Sequence, residues 1–183
     1  MSDVFFGIQV AVRAPGGDPW RQRLLDLLRS RQRDLALDDQ RGFHGQLANL
    51  LLEAQDRMPL GFWDFVPDGR TQFAEWVQGI EDDTGEPWVP DPSGARMDHV
   101  LVSALFLLPV GGTSAERVGE RCDLPESQWR TRRTWRNLIE TPTQLDWSSV
   151  RSSAVYATPG DLESGFSLRE LTGEGYEYLL PIE

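Results

Sequence analysis

The chain reads as an α+β domain: a small mixed sheet of about three to four strands, covered by helices. Three observations predict it. Residues 4–13 alternate Val4, Phe6, Ile8, Val10 and Val12 against Phe5, Gly7, Gln9, Ala11 and Arg13, the period of two that a strand imposes. The run "HVLVSALFLLPV" from His99 is apolar on both faces, as a strand in the middle of a sheet must be. Between them, apolar side chains recur at i, i+3, i+4 and i+7, the spacing of one helix face.

Each element follows from its own residues. Pro15-Gly16-Gly17 ends the first strand. Asp18-Pro19 then reads as a helix cap followed by proline at the first helical position. That helix is expected to run to about Leu37, with Leu24, Leu27, Leu28 and Leu35 on one side. A second helix follows Asp38-Asp39 and carries Phe43, Leu47, Leu50, Leu51 and Ala54, with His44 just beside the stripe. "MPLGFWDFVPDG" reads as a turn-rich aromatic plug over the core. The third helix carries Phe73, Trp76, Val77 and Ile80, and "EDDTGEPWVPDPSGA" reads as an acidic loop.

The interior strand is expected to lie between "SSVRSSAVYAT" and "VFFGIQVAV" and to turn at Gly111-Gly112. Thr113 with Glu116 then has the form of a capping box, opening a short helix with Ala115, Val118 and Cys122 on its apolar side. Asp123 and Glu126 repeat that form ahead of "ESQWRTRRTWRN". "YEYLLPI" is a candidate final strand, with Tyr176, Tyr178, Leu180 and Ile182 sharing a face.

The 183 residues suit a single domain, 1–183, with a helix-rich first half (1–85) and a strand-containing second half (97–183) joined by the acidic Pro/Gly loop 81–96. A hydrophobic share of 39% is enough for a core. All 18 basic residues are arginine against 29 acidic ones, and the net charge of −11 argues against a general nucleic-acid or anionic-membrane binder. Without lysine there is no Schiff-base or P-loop lysine chemistry. The lone Cys122 excludes an intramolecular disulfide and suits a reducing compartment, so the expected location is cytoplasmic.

The order "HVLVSALFLLPVGG", a helical stretch, "SSVRSSAVYATP", "SLREL" and a closing "YLLPI" resembles an uncharacterised family of glycine-rich plastid, cyanobacterial and other bacterial proteins, domain of unknown function 1517. The resemblance rests on Ala154–Pro159, Leu168–Leu171 and Leu179–Pro181, with "LANLLLEAQDRMPLGFWDFV" similar in layout. It implies no activity and assigns no residue a role.

The segment "ESQWRTRRTWRN" puts four arginines and two tryptophans on an acidic chain. Read as one helix from Leu124, it turns Trp135, Leu138 and Ile139 inward and leaves Trp129 outside, between Arg133 and Arg136. It is either a charged surface helix or a docking patch of Trp129, Arg130, Arg132, Arg133 and Arg136, since tryptophan and arginine dominate interface hot spots. Trp88, held between prolines, is a second candidate contact. The Gly111-Gly112 turn could cradle an anion on backbone N–H groups, or simply cap a helix. His44, His99 and Cys122 are the available bases and nucleophile, without a spacing that brings them together. Cys122 is read as a small core residue on the apolar stripe. No catalytic residue, cofactor or metal ligand set is assigned. The expectation is a non-catalytic interaction or scaffold module with a protein partner or self-association. The alternative is a small-molecule binder or enzyme built on His99, Cys122 and the Gly111-Gly112 turn.

Overall fold

The computed structural model describes residues 2–30, 37–85 and 96–183. Five strands form one antiparallel sheet: β1 (Asp3–Arg13), β2 (Leu60–Pro67), β3 (His99–Pro109), β4 (Ser152–Thr158) and β5 (Leu180–Pro181), in the order β4-β3-β1-β2-β5. The sheet is therefore larger than the expected three or four strands, and antiparallel throughout rather than mixed. The five helices are α1 (Pro19–Ser30), α2 (Leu37–Glu53), α3 (Gly69–Gly85), α4 (Thr113–Cys122) and α5 (Arg132–Glu140).

The two-sided apolarity of β3 has the predicted outcome. It lies between β1 and β4, and its first ten residues are all buried. Period two assigns the rest. Phe6, Ile8, Val10 and Val12 face the same side as Val100, Val102, Ala104, Phe106 and Leu108, and α1, α2, α4 and α5 close over them. Phe5 and Leu105 face the other side, under Phe73, Trp76 and Val77 of α3. Farther along that side, Leu171 and Leu179 cover Ala11, Leu60 and Leu101. Between these two covers the sheet is polar: Gln9 donates to Ser103 Oγ at 3.0 Å and accepts from the Tyr178 hydroxyl at 2.8 Å.

Helix starts follow local chemistry only in part. Asp18 caps α1 by accepting from the Trp20 N–H at 2.8 Å. The Trp20 indole donates to the Leu50 carbonyl at 2.7 Å, which ties α1 to α2. His44 is core rather than chemistry: it stacks on Trp147 at 4.5 Å and packs against Phe106. The Thr113–Glu116 capping box does not form. Gly112 occupies the cap position with extended backbone, so the Thr113 side chain is already inside the helix. Glu81 lies within α3 rather than in a loop, and residues 86–95 of the acidic segment are outside the described residues.

The aromatic plug is in fact β2, a strand hydrogen-bonded along its length to β1. Aromatics on both faces, with glycine and proline at its ends, hid its alternation from a periodicity test. The closing strand is only Leu180–Pro181, and the four side chains expected on one face separate. Tyr176 and Tyr178 contact each other beside Phe62, whereas Ile182 joins the opposite core. A two-residue strand is too short to impose alternation on its neighbours.

Candidate functional site

The segment from Leu124 to Glu140 is not one helix. A 3-10 turn, Glu126–Gln128, ends at Trp129, and α5 begins three residues later with Thr131 as its cap, accepting from the Thr134 N–H at 3.2 Å. Thr131 has extended backbone, which separates the turn from α5. Within α5, Trp135, Leu138 and Ile139 are buried as expected, and Thr134 is buried with them. Trp129 is 38% exposed, but the helical wheel does not explain it, because it precedes the helix.

Its surroundings also differ from expectation. Trp129 is not sandwiched by Arg133 and Arg136. Its indole N–H donates to the Leu124 carbonyl at 2.9 Å, and its ring meets Trp63 edge to face at 5.8 Å. Arg136 pairs with Glu140 at 3.4 Å, one turn along the helix. Arg132 turns away, donating to the Gln55 carbonyl at 3.0 Å and to Asp56 at 3.2 Å. Arg130 and Arg133 are exposed, and the Arg130 carbonyl accepts from the Glu183 N–H at 2.7 Å. Trp88 lies outside the described residues.

Trp129 instead forms one wall of a groove of about 610 Å³. Gly61 to Phe65 line it as five consecutive residues of β2. Successive side chains of a strand point to opposite faces, so a groove touching all five follows the strand's outer edge. β5 covers that edge only at Leu60 and Gly61; among the described residues no strand pairs with Phe62–Pro67 on the outer side. Cys122 and Asp123 close the groove from the end of α4, and Trp135 and Leu180 also line it. The Trp135 Nε1–H is buried and has no acceptor among the described residues.

No family model, curated protein or solved structure matches the chain. The resemblance carried by Ala154–Pro159, Leu168–Leu171 and Leu179–Pro181 thus rests on those short motifs alone, and the groove's meaning has to come from its chemistry. Burial raises the Asp64 carboxyl above the ordinary carboxylate range, opposed by the Phe65 backbone N–H. Asp64 also acts on its neighbour. Burial pushes the Cys122 thiol up to about 12, with the Asp64 charge adding and Arg121 opposing. The groove therefore combines indole and phenyl surface with carboxylates and a thiol held in its neutral form.

Native Cys122 is accordingly expected to react with iodoacetamide at neutral pH about a thousandfold more slowly than an unperturbed thiol, because only the thiolate attacks. Mass spectrometry of native and denatured protein checks this, and equal rates would contradict it.

His99, Cys122 and the Gly111-Gly112 turn do not meet. His99 opens β3 and Gly111 follows its far end, about 35 Å away at the usual strand rise. Cys122 belongs to the groove beside β2, and His99 to a different cleft. Burial lowers the His99 imidazole below its ordinary range, with Asp98 opposing. Among the described residues no group of three His, Cys, Asp or Glu side chains is placed to hold a metal ion, and no helix is long and apolar enough to cross a membrane.

Sequence reasoning singled out Trp129 but not Trp63, Asp64 and Phe65, which line the same groove. The missing signal was the strand itself: once β2 is an edge, these residues are neighbours of a free ladder rather than a plug.

Proposed function

We propose that the protein is an interaction module whose groove beside β2 takes an extended, positively charged segment of a partner protein. The observation that carries this reading is the outer edge of Phe62–Pro67, unpaired among the described residues, running along the wall that holds Trp63 and Trp129. An extended chain can add to such an edge through main-chain hydrogen bonds, with alternate side chains entering the groove. The groove's chemistry sets the sign of the partner. Indole faces attract guanidinium and ammonium groups, by about 0.5–1 kcal/mol at exposed sites and 2 or more when desolvated. Asp64 and Asp123 add negative charge, and the chain's net charge of −11 favours approach of a cation from a distance. Trp129, half out of the surface with its N–H already satisfied by Leu124, offers its ring without a polar atom to desolvate.

The test is calorimetry and tryptophan fluorescence with a capped peptide of alternating valine and arginine, against one of valine and glutamate. The arginine peptide is expected to bind with a change in tryptophan emission. Trp129→Ala and Asp64→Asn should each weaken it about tenfold or more, a loss of roughly 1.4 kcal/mol. Equal binding of the two peptides, or full retention in both variants, would overturn the reading. Concentration-dependent dimerisation lost in Trp129→Ala, with no peptide binding, would replace the partner by a second copy of this chain.

A further inference from the structure

A second cleft, of about 520 Å³, gathers five arginines from five separate parts of the chain: Arg13, Arg57, Arg96, Arg132 and Arg169. Topology brings them together at one end of the sheet. Arg13 closes β1 and pairs in register with His99, which opens β3. Arg96 lies three residues before the start of that strand, and Arg57 sits in the turn before β2. Arg169 follows Phe166, whose backbone exchanges two hydrogen bonds with His99. Arg132, the first residue of α5, reaches in from the side through its contact with Asp56.

On a chain with net charge −11, this is the opposite of what even spreading of charge would give. Asp56 and Asp98 also line the cleft and Asp18 holds Arg57, so five guanidiniums meet three carboxylates and two positive charges remain. The three ion pairs among the described residues do not close the site. Asp56, the partner of Arg132, is 99% exposed, and a pair that wet is worth little. Arg13 holds Asp98 at 2.9 Å, and Arg57 holds Asp18 at 2.7 Å. Arg96 and Arg169 have no ion pair among the described residues. The nearby Glu170 is taken up by Ser167, accepting from its backbone N–H at 2.6 Å and its hydroxyl at 2.8 Å. At the back lies His99, 5% exposed. Its Nδ1 is 3.0 Å from an Asp98 oxygen but off the line of a hydrogen bond, and the ring also meets the Phe166 backbone.

We propose that this cleft binds a small polyanion, a molecule carrying two or more phosphate or carboxylate charges. Guanidinium is the group suited to this, since its planar fork meets an oxyanion with two parallel N–H donors. The volume suits a metabolite-sized ligand rather than a single ion. The site is separate from the groove beside β2. The last strand stands between them, with Leu180 lining the groove and Ile182 lining the cleft. The two readings thus succeed or fail independently.

The probes are pyrophosphate and citrate, titrated calorimetrically into the full chain at low salt. One-to-one saturable binding of at least one is expected, and the tighter probe assigns the site to phosphate or carboxylate chemistry. The double variant Arg96→Gln/Arg169→Gln should weaken binding about tenfold or more. It removes only charges without an ion pair among the described residues, so its thermal midpoint without ligand should not fall. Arg133→Gln, on α5 but away from the cleft, should bind like the parent. The proposal is overturned if neither probe binds at millimolar concentration, or if Arg133→Gln loses as much affinity as the double variant. It is also overturned if duplex DNA or polyglutamate displaces both probes at lower concentration, since either would make the cleft part of a macromolecular surface.

Discussion

Replacing Trp135 with alanine is expected to destabilise the fold by about 3–5 kcal/mol, the usual cost of deleting a buried tryptophan. The side chain is 1% exposed and sits in the main core with Leu138 and Ile139. Its ring lies directly on Gly61, where β2 lacks a side chain: a Cβ there would come within 2.5 Å of the indole. The two positions are therefore coupled. Gly61→Ala alone should cost about 1–3 kcal/mol through overpacking. In a Trp135→Ala background the same change should cost clearly less, because the ring it strikes is gone. Denaturant unfolding of the four proteins measures the coupling; additive costs would mean that this contact does not hold α5 to the sheet. Trp129→Ala, which removes a half-exposed ring, should leave stability nearly unchanged in the same assay.

Arg21→Ala is expected to cost about 3 kcal/mol and to release a loop far away in sequence. Arg21 is fully buried within α1, and its guanidinium donates to three carbonyls: Asp161 at 2.9 Å, Ala14 at 3.4 Å, and Ser164. Desolvation lowers its pKa, with the Asp161 charge opposing. Lysine should not rescue the site, because one ammonium cannot reproduce the planar fork. Hydrogen exchange provides the readout. Amides of residues 161–164 should lose protection in Arg21→Ala while β1 and β3 keep theirs. Unchanged exchange in that loop would show that Arg21 does not anchor it.

The elements legible in the sequence were those whose burial pattern is set within one segment. β1 alternates because one face enters the main core while the other carries Gly7 and Gln9 beneath a partly polar cover, and β3 is apolar throughout because both its faces are buried. The inward face of α5 was legible because Trp135, Leu138 and Ile139 follow the helix period. β2 was not, since its side chains meet two different covers and its register comes from β1 rather than from its own pattern. Arg21 shows the same limit in a helix: nothing in "PWRQRLLDLLRS" distinguishes the buried arginine from exposed Arg23 next to it, because the carbonyls that hold it come from residues 161–164. The candidate patch is divided for that reason too. Trp129 and Arg132 are neighbours in sequence, yet the last strand divides them between an aromatic groove and an arginine cleft.

The strand order has a kinetic consequence. β1 is the first strand of the chain and the middle one of the sheet, and both its partners are non-local. Every pairing it makes joins residues between about fifty and a hundred positions apart, so loop-closure entropy must be met before any ladder hydrogen bond forms. α1 and α2 can assemble locally, but the surface they cover does not exist until β3 has found β1. The rate-determining event for this chain is thus expected to be the meeting of "VFFGIQVAV" with "VLVSALFLL", and folding should be slower than in a helical bundle of equal length.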